Sequence, residues 1–398
     1  MTVWETLWLA LTVLLSLPVA VLLIQVLAAR PVGAQDVRDD WPGRVGDRPR
    51  VVVLMPAHNE ANGVAHAIAH VRAQMLATDR LLVIADNCSD DTAQRAVDAG
   101  AEVIVRTDPD LRSKNYALDF ALRHLGSAPP EIVVIVDADC ELGVGALDAL
   151  ARACAHYGRP VQALYRMERS PDSGLRRRVD AFAWVMRNEV RPLGLMRLGA
   201  PCQLMGTGCA FPWAQLRATP IANDLLAEDL RMGLDLAMAG HAPRFLPEVS
   251  VSSRFPDTLD AAREQRARWE YGHLARMLLD APRMLLGSVW RRDVASAALA
   301  IDALVPPLAF LFNVSVALVA LNLVLAWGLG WSTPLLASAA NLLALTLALL
   351  LAWARHGRDT LTLKDLVLAP IYALSKVPQY LGFLRRRMHW QRAKRDGE

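Results

Sequence analysis

The sequence predicts an α/β domain with a mostly parallel, Rossmann-like sheet, carried between membrane-crossing segments. Three observations lead there. Four short apolar runs between residues 51 and 136 have the length and β-branched content of strands buried on both faces. Helix-patterned stretches lie among them, giving the alternation of a parallel sheet with right-handed crossovers. Long apolar blocks stand at both ends, and 54% hydrophobic with 21% charged residues fits a soluble domain joined to a few spans.

The elements follow in order. Residues 1–29 form an N-terminal span, since the apolar run 3–28 exceeds the roughly 20 residues needed to cross a hydrocarbon core. A cleavable signal peptide is the rival reading. Against it, no Lys or Arg precedes the run, the run is too long for a signal core, and Arg30, Arg38, Arg44, Arg48 and Arg50 all follow it. Positive charge on that side places the N-terminus outside and the central domain in the cytoplasm. Residues 30–49 read as a polar linker. The domain itself spans 50–285, with strands at 51–55, 81–84, 102–105 and 132–136 and helices near 61–77, 91–99 and 114–124. Residues 286–356 read as a transmembrane hairpin, with apolar blocks at about 298–327 and 334–354. Pro306 and Pro307 kink the first block, because neither donates a backbone hydrogen bond. The stretch 366–384 is apolar enough for a fourth span, but the basic tail after it would then be stranded outside. Pro370, Lys376 and Pro378 also interrupt it, so 357–398 reads as an interfacial or re-entrant helix with a basic cytoplasmic tail on membrane lipids.

Composition narrows the function. Net charge is +3 and the central region holds no long basic run, which argues against a nucleic acid partner. The five cysteines are odd in number and lack CxxC spacing, as expected of reduced structural thiols. Asp302 is the main ionisable residue of the apolar blocks. It either faces a lipid-linked acceptor or sits near the interface in a structural role.

Four polar patches carry chemistry. In parallel sheets ligands gather at the carboxyl ends of the strands, where Pro56, Ala57, His58, Asn59 and Glu60, then Asp86, then Asp137 and Asp139 all stand. Asp137 and Asp139 flank one residue, so on a strand both side chains project to one face and can hold Mg²⁺ or Mn²⁺ with a diphosphate. By itself such a pair is also a common solvated turn. Asp86 precedes a cap-rich run through Thr92, and His58 has no ligand-spaced partner. Glu228 and Asp229 head an amphipathic helix, where a carboxylate beside the crevice is placed to accept a hydroxyl proton. Gln265, Arg268 and Trp269 share one helical face at i, i+3 and i+4, presenting an amide, a guanidinium and an indole suited to pyrophosphate and a stacked sugar.

"VVVLMPAHNE", "IADNCSDDT", "IVDADC", "GTGCAF", "LAEDLRMGLDL" and "QRARW" occur in that order. Over residues 50–285 the chain thereby resembles the membrane-bound family 2 glycosyltransferases that include cellulose, chitin, hyaluronan and poly-N-acetylglucosamine synthases. The resemblance implies a GT-A fold and an inverting, metal-dependent hexosyl transfer from a UDP-sugar or similar nucleotide-diphosphate donor. It implies that Pro56, Ala57, Glu60, Asp86 and Lys114 surround the nucleotide, that Asp137 and Asp139 hold metal and diphosphate, and that Asp229 is the base. Gln265, Arg268 and Trp269 would grip diphosphate and acceptor, with Glu228, Gly206, Thr207 and Gly208 lining the acceptor side. It also implies a bacterial-type cytoplasmic (inner) membrane and other subunits of envelope polysaccharide synthesis as partners. Two features depart from the large processive synthases: fewer spans, and no Phe-x-Val-Thr-x-Lys loop after QxxRW. The product is therefore either a saccharide, lipid-linked or free, extended in exopolysaccharide synthesis, or a polymer that the chain secretes itself. A glycoside hydrolase using paired carboxylates and a non-enzymatic membrane scaffold are the readings from other classes.

Overall fold

The computed structural model of the chain describes residues 2–31, 47–168, 174–223, 227–255 and 259–385. Most of the expected linker and the basic tail beyond residue 385 lie outside the described residues.

Helix α1 (Val3–Ala28) leads to strand β1 (Val51–Ala57), whose first five residues are all buried. Then come α2 (Val64–Arg72), β2 (Arg80–Asp86), α3 (Thr92–Asp98), β3 (Glu102–Arg106), α4 (Lys114–His124) and β4 (Ile132–Ile135). All four expected strands and three expected helices are present. β1 pairs in parallel with β2 and β4, and β2 with β3. Because side chains alternate across a strand, Val51, Val53 and Met55 join one core and Val52 and Leu54 the other. Both faces are covered, as an all-apolar run requires.

Beyond β4 the sheet turns mixed. β5 (Cys140–Leu142), α5 (Ala146–Tyr157), β6 (Val161–Glu168) and α6 (Leu175–Val185) follow, and a π-helical turn at Met186–Val190 joins α6 to α7 (Arg191–Arg197). Next are β7 (Cys209–Pro212), α8 (Trp213–Ala218), α9 (Glu228–Met238), β8 (Arg244–Arg254) and α10 (Leu259–Leu279). The order across the sheet is β3-β2-β1-β4-β7-β6-β8-β5. β7 runs antiparallel to β4 and β6, and β5 antiparallel to β8. Asp137 and Asp139 lie in the turn between β4 and β5 and not on a strand, a correction to the expected same-face projection.

The C-terminal part holds α11 (Ala281–Arg291), α12 (Val294–Ala303), α13 (Leu308–Leu329), α14 (Ser332–Ala352), α15 (Leu363–Ser375) and α16 (Val377–Arg385). Among the described residues three helices are long and apolar enough to cross a membrane: Val3–Ala28, Leu308–Leu329 and Ser332–Gly357. The Pro306-Pro307 pair does not kink one long helix but separates α12 from α13, so the hairpin proper begins at Leu308. Two consecutive residues without an N–H leave too few bonds to carry a helix across. Several polar side chains inside the bundle are partnered: Trp8 donates to Asn322 at 2.6 Å, and Asn341 to Ser315 at 3.4 Å. Asp302 lies on α12, outside the spans, and accepts from Arg191 at 2.7 Å and Gln25 at 2.8 Å. It therefore joins α1, α7 and α12 in a structural role. α15 and α16 have 13 and 9 residues, each short of the roughly 20 that a span needs.

Candidate active site

The loops after β1 and β2 are fastened to each other. Asn59 and Asn87 both adopt positive φ, at 53° and 51°, which asparagine tolerates better than most residues. Ser89 N–H donates to Asn59 Oδ1 at 2.8 Å, Glu60 N–H to Thr92 Oγ1 at 2.7 Å, and His58 Nδ1 lies 2.5 Å from the Asp86 carbonyl oxygen. His58 thus serves the loop. Asp86 is buried and accepts from Arg106 Nη1 at 2.6 Å. The sequence reading did not include that arginine, which sits one strand away on β3. Pro56, Ala57, Glu60 and Asp86 therefore form one rigid strand-end edge.

The crevice proper opens beside it, about 130 Å³ in volume, with Lys114, Asp137, Gly206, Glu228, Asp229 and Trp269 on its walls. Lys114, at the head of α4, donates to the Gly206 carbonyl at 2.8 Å and pairs with Asp137. Burial works against its charge, yet Asp137 and Glu228 beside it carry its pKa upward, so it stays an ammonium. Gly206 has φ of +87°, and a Cβ there would stand 3.6 Å from the Asp229 carboxylate and 3.7 Å from Lys114 Nζ. Its backbone can face the crevice because it has no side chain. The rest of that expected patch turns inward. Thr207 is fully buried and its hydroxyl accepts from the Asp137 N–H at 3.1 Å, while a Cβ on Gly208 would meet Val251 at 2.6 Å. Thr207 and Gly208 hold the floor and are not on the crevice wall.

Asp137, Asp139 and Cys140 offer ligand atoms within 4.8 Å of one another. Asp139 is open at the surface, yet the atoms packed round it strip away enough water to lift its carboxyl above the usual range, and the Asp137 charge adds to the shift. Burial pushes the Cys140 thiol well up, so it stays protonated. Two crowded carboxylates with a neutral thiol fit a hard, oxygen-preferring divalent cation such as Mg²⁺ or Mn²⁺. All five cysteines are free thiols.

Glu228 and Asp229 open α9 as expected. The residue before them, Ala227, stands in the left-handed region at φ 55°, a conformation that costs a non-glycine residue about 1–2 kcal/mol and gathers at functional sites. It aims the head of α9 into the crevice. Burial, then the Asp229 charge, pushes the Glu228 carboxyl up to about 7, with Lys114 opposing.

On α10 the expected face is rotated by about one residue. Trp269 borders the crevice, and the stripe that faces the neighbouring cavity is Arg266, Trp269, Glu270 and His273. Gln265 and Arg268 are half-buried and stand on neither wall. The i, i+3, i+4 spacing gives a common face but not its direction, which packing decides. The other walls were not foreseen: Tyr165, Trp184, Arg187, Asn188 and Met205. Trp184 packs tilted against Trp269, with ring centroids 5.0 Å apart, and edge-to-face against Tyr165 at 4.9 Å. Arg187 rides on the π-helical turn, an irregularity frequent at functional sites. Its one sequence signal is a Trp and an Arg spaced i, i+3 in "WVMR".

A family model described as glycosyl transferase family group 2 matches residues 132–355, and one described as glycosyl transferase family 2 matches residues 52–211. An N-acetylglucosaminyltransferase of Rhizobium meliloti (strain 1021) is 24% identical over 270 residues, 62% of this chain and 60% of the relative. The chain thus spans less than two thirds of that relative's length. Among solved structures, a mannosyltransferase from Pyrobaculum calidifontis in complex with GDP-Man and Mn²⁺ is 21% identical with a TM-score of 0.49, covering 86% of this chain and 99% of that one. A glucosyl-3-phosphoglycerate synthase from Mycobacterium tuberculosis, in complex with Mn²⁺, UDP and phosphoglyceric acid, is 21% identical with a TM-score of 0.40, covering 57% and 78%.

Proposed function

The chain belongs to glycosyl transferase family group 2, whose model covers more than half of it, and from that premise we propose an inverting, metal-dependent hexosyl transfer. The enzyme has the GT-A fold. Its donor is a nucleotide-diphosphate sugar, a UDP-sugar in our reading, and its acceptor a saccharide or lipid-linked saccharide of envelope or exopolysaccharide synthesis. The catalytic domain faces the cytoplasm at a bacterial-type inner membrane, with other subunits of envelope polysaccharide synthesis as partners. A polymer secreted by this chain alone is less favoured, since the described residues supply three spans.

One observation carries the reading: a single crevice is lined by the Asp229 carboxylate, the Lys114–Asp137 pair and the Trp269 indole, and Trp269 also borders the neighbouring cavity. Asp229 accepts the proton of the acceptor hydroxyl, and that oxygen attacks the anomeric carbon from the side opposite the diphosphate, so configuration inverts. Lys114 supplies positive charge as the diphosphate departs. Asp137 and Asp139 would hold the divalent cation, which when bound neutralises the diphosphate oxygens. The strand-end edge from Pro56 to Asp86 is the proposed seat of the base and ribose. Trp269 and Trp184 offer ring faces to the acceptor sugar. Arg268 and Gln265 would reach the donor only through a rotation of α10.

The test is Asp229→Asn. Its nucleotide binding, read by calorimetry with UDP and Mn²⁺, should match the parent, while release of UDP from a panel of UDP-sugars in lipid falls by about 10² or more. Near-parental turnover would move the base to Glu228 or elsewhere.

A further inference from the structure

Beside the crevice lies a second void of about 280 Å³, and Trp184, Arg187 and Trp269 border both. Resting on the transfer reaction above, we infer that the acceptor is an anionic lipid-linked saccharide. Its apolar chain lies in this cavity, its phosphate meets Arg187, and its terminal sugar hydroxyl reaches Asp229.

The far wall of the cavity is built by Leu308 and Phe312 of α13, Leu349 of α14, and Leu366, Ala369 and Pro370 of α15. α13 and α14 are two of the three helices long and apolar enough to cross a membrane, so this wall faces the bilayer side of the molecule. The proline break between α12 and α13 opens the gap, with Pro306 and Pro307 on its rim. Such a wall suits hydrocarbon. A growing polysaccharide would lose water from its hydroxyls there with no partner in return.

Charge on the walls is sorted the same way. Arg191 is bonded by Asp302 at 2.7 Å, Arg266 pairs with Asp180, and Lys376 pairs with Glu270 at 2.6 Å. Arg187 has no hydrogen bond or ion pair among the described residues, although burial opposes its charge and the Asp229 field favours it. A guanidinium held without a fixed anion, at the mouth between an apolar cavity and a carboxylate-lined crevice, fits a phosphate arriving with its ligand. Hydrocarbon, phosphate and sugar then succeed one another in the order cavity, Arg187, indoles and Asp229.

The experiment uses the full chain in nanodiscs with a polyprenyl-diphosphate monosaccharide as probe, its binding read by native mass spectrometry beside the same monosaccharide without lipid. Ala369→Trp fills the apolar wall and should weaken lipid-probe binding about tenfold. Arg187→Ala should weaken it about tenfold or more, with Arg187→Lys recovering part of the loss. Val367→Trp, on the exposed side of α15, should bind as the parent does. Equal binding by the Ala369→Trp and parental proteins, equal loss in Val367→Trp, or equal binding of the lipid-free sugar would each overturn the assignment. The transfer reaction is read separately as nucleotide release. Lipid bound in this pattern with no nucleotide sugar turned over would overturn that reaction and leave the cavity assignment standing.

Discussion

The crevice and the cavity share three wall residues, yet they handle charge in opposite ways. The crevice gathers Asp137, Glu228 and Asp229 round the single ammonium of Lys114, with Asp139 next to Asp137, and burial first, then the neighbouring carboxylate, pushes the Asp139 and Glu228 carboxyls up. In the cavity Asp180, Glu270, Arg266 and Lys376 close into a network that Tyr372 joins, donating to Asp180 at 2.9 Å. The same groups that tie α10 to α15 there leave no surplus of either sign, apart from Arg187 at the boundary. Excess negative charge that the fold does not neutralise marks the place for a cation and a basic function. Paired charge marks a joint that holds the membrane-side elements in place.

The sharpest way to break this contrast is to remove the excess. Asp137→Asn and Asp139→Asn should each lower nucleotide release by about 10³, since a metal clamp on a diphosphate is worth several kcal/mol. The thermal stability of Asp139→Asn should hold or rise, because it relieves repulsion with Asp137, whereas Asp137→Asn also removes the ion pair with Lys114 and should lose stability. Full activity of the parent in excess EDTA would remove the metal from the account. A fall in the stability of Asp139→Asn would mean that this carboxylate is structural after all.

A smaller effect separates the two acids at the head of α9. Glu228 has its carboxyl raised from 4.5 to about 7, so in that window the folded chain holds a proton that the unfolded chain has lost. Stability therefore falls as pH rises from about 4.5 to about 7. Above that window Glu228 is anionic and can share in taking up the acceptor proton, so turnover should climb through neutrality. Glu228→Gln should flatten both slopes and cost about tenfold in rate at pH 8. A parental pH profile in the Gln variant would assign the titration to another group.

How far this contrast was legible in the sequence depends on which side of β4 one stands. β1, β2 and β4 announce themselves because each is buried on both faces and so is uninterruptedly apolar, while β3, a partly exposed edge strand, keeps a short Val-Ile-Val run. The later ones do not: β5 has three residues, and β8 carries Pro247 and several serines. Asp137, Asp139, Glu228 and Asp229 were each ambiguous alone and were singled out by the order of the family-like motifs, and the crevice brings Asp137, Glu228 and Asp229 together. Arg106 was not, because its partnership with Asp86 depends on the register of β2 against β3. Nor was Arg187, whose direction depends on a π-helical insertion. The face of α10 was read one residue out of phase, since a basic helix without a strong apolar stripe leaves its rotation to tertiary packing.

The last prediction works at the opposite end of the cavity, where the effect is smallest. α15 begins with a capping box in which Thr362 accepts from the Asp365 N–H at 3.2 Å and Asp365 accepts from the Thr362 N–H at 3.1 Å. Arg178 of α6 donates to the same carboxylate at 2.7 and 2.8 Å. That hydrogen bond, with Thr362 adding, holds the Asp365 carboxyl down to about 2 against an ordinary 3.8. A depressed carboxyl contributes stability above its ordinary value and loses it as pH falls from about 3.8 towards 2. Thr362→Ala should cost about 1 kcal/mol of local stability, seen as faster amide exchange in α15 at neutral pH, with β1 and β2 unchanged. In the parent the same amides should loosen on acidification through that window. Since α15 supplies Leu366 and Ala369 to the cavity and nothing to the crevice, nucleotide binding should be indifferent to the loss. If exchange in α4 or α9 quickened as well, the two regions would be one cooperative unit and the division of labour drawn between them would fail.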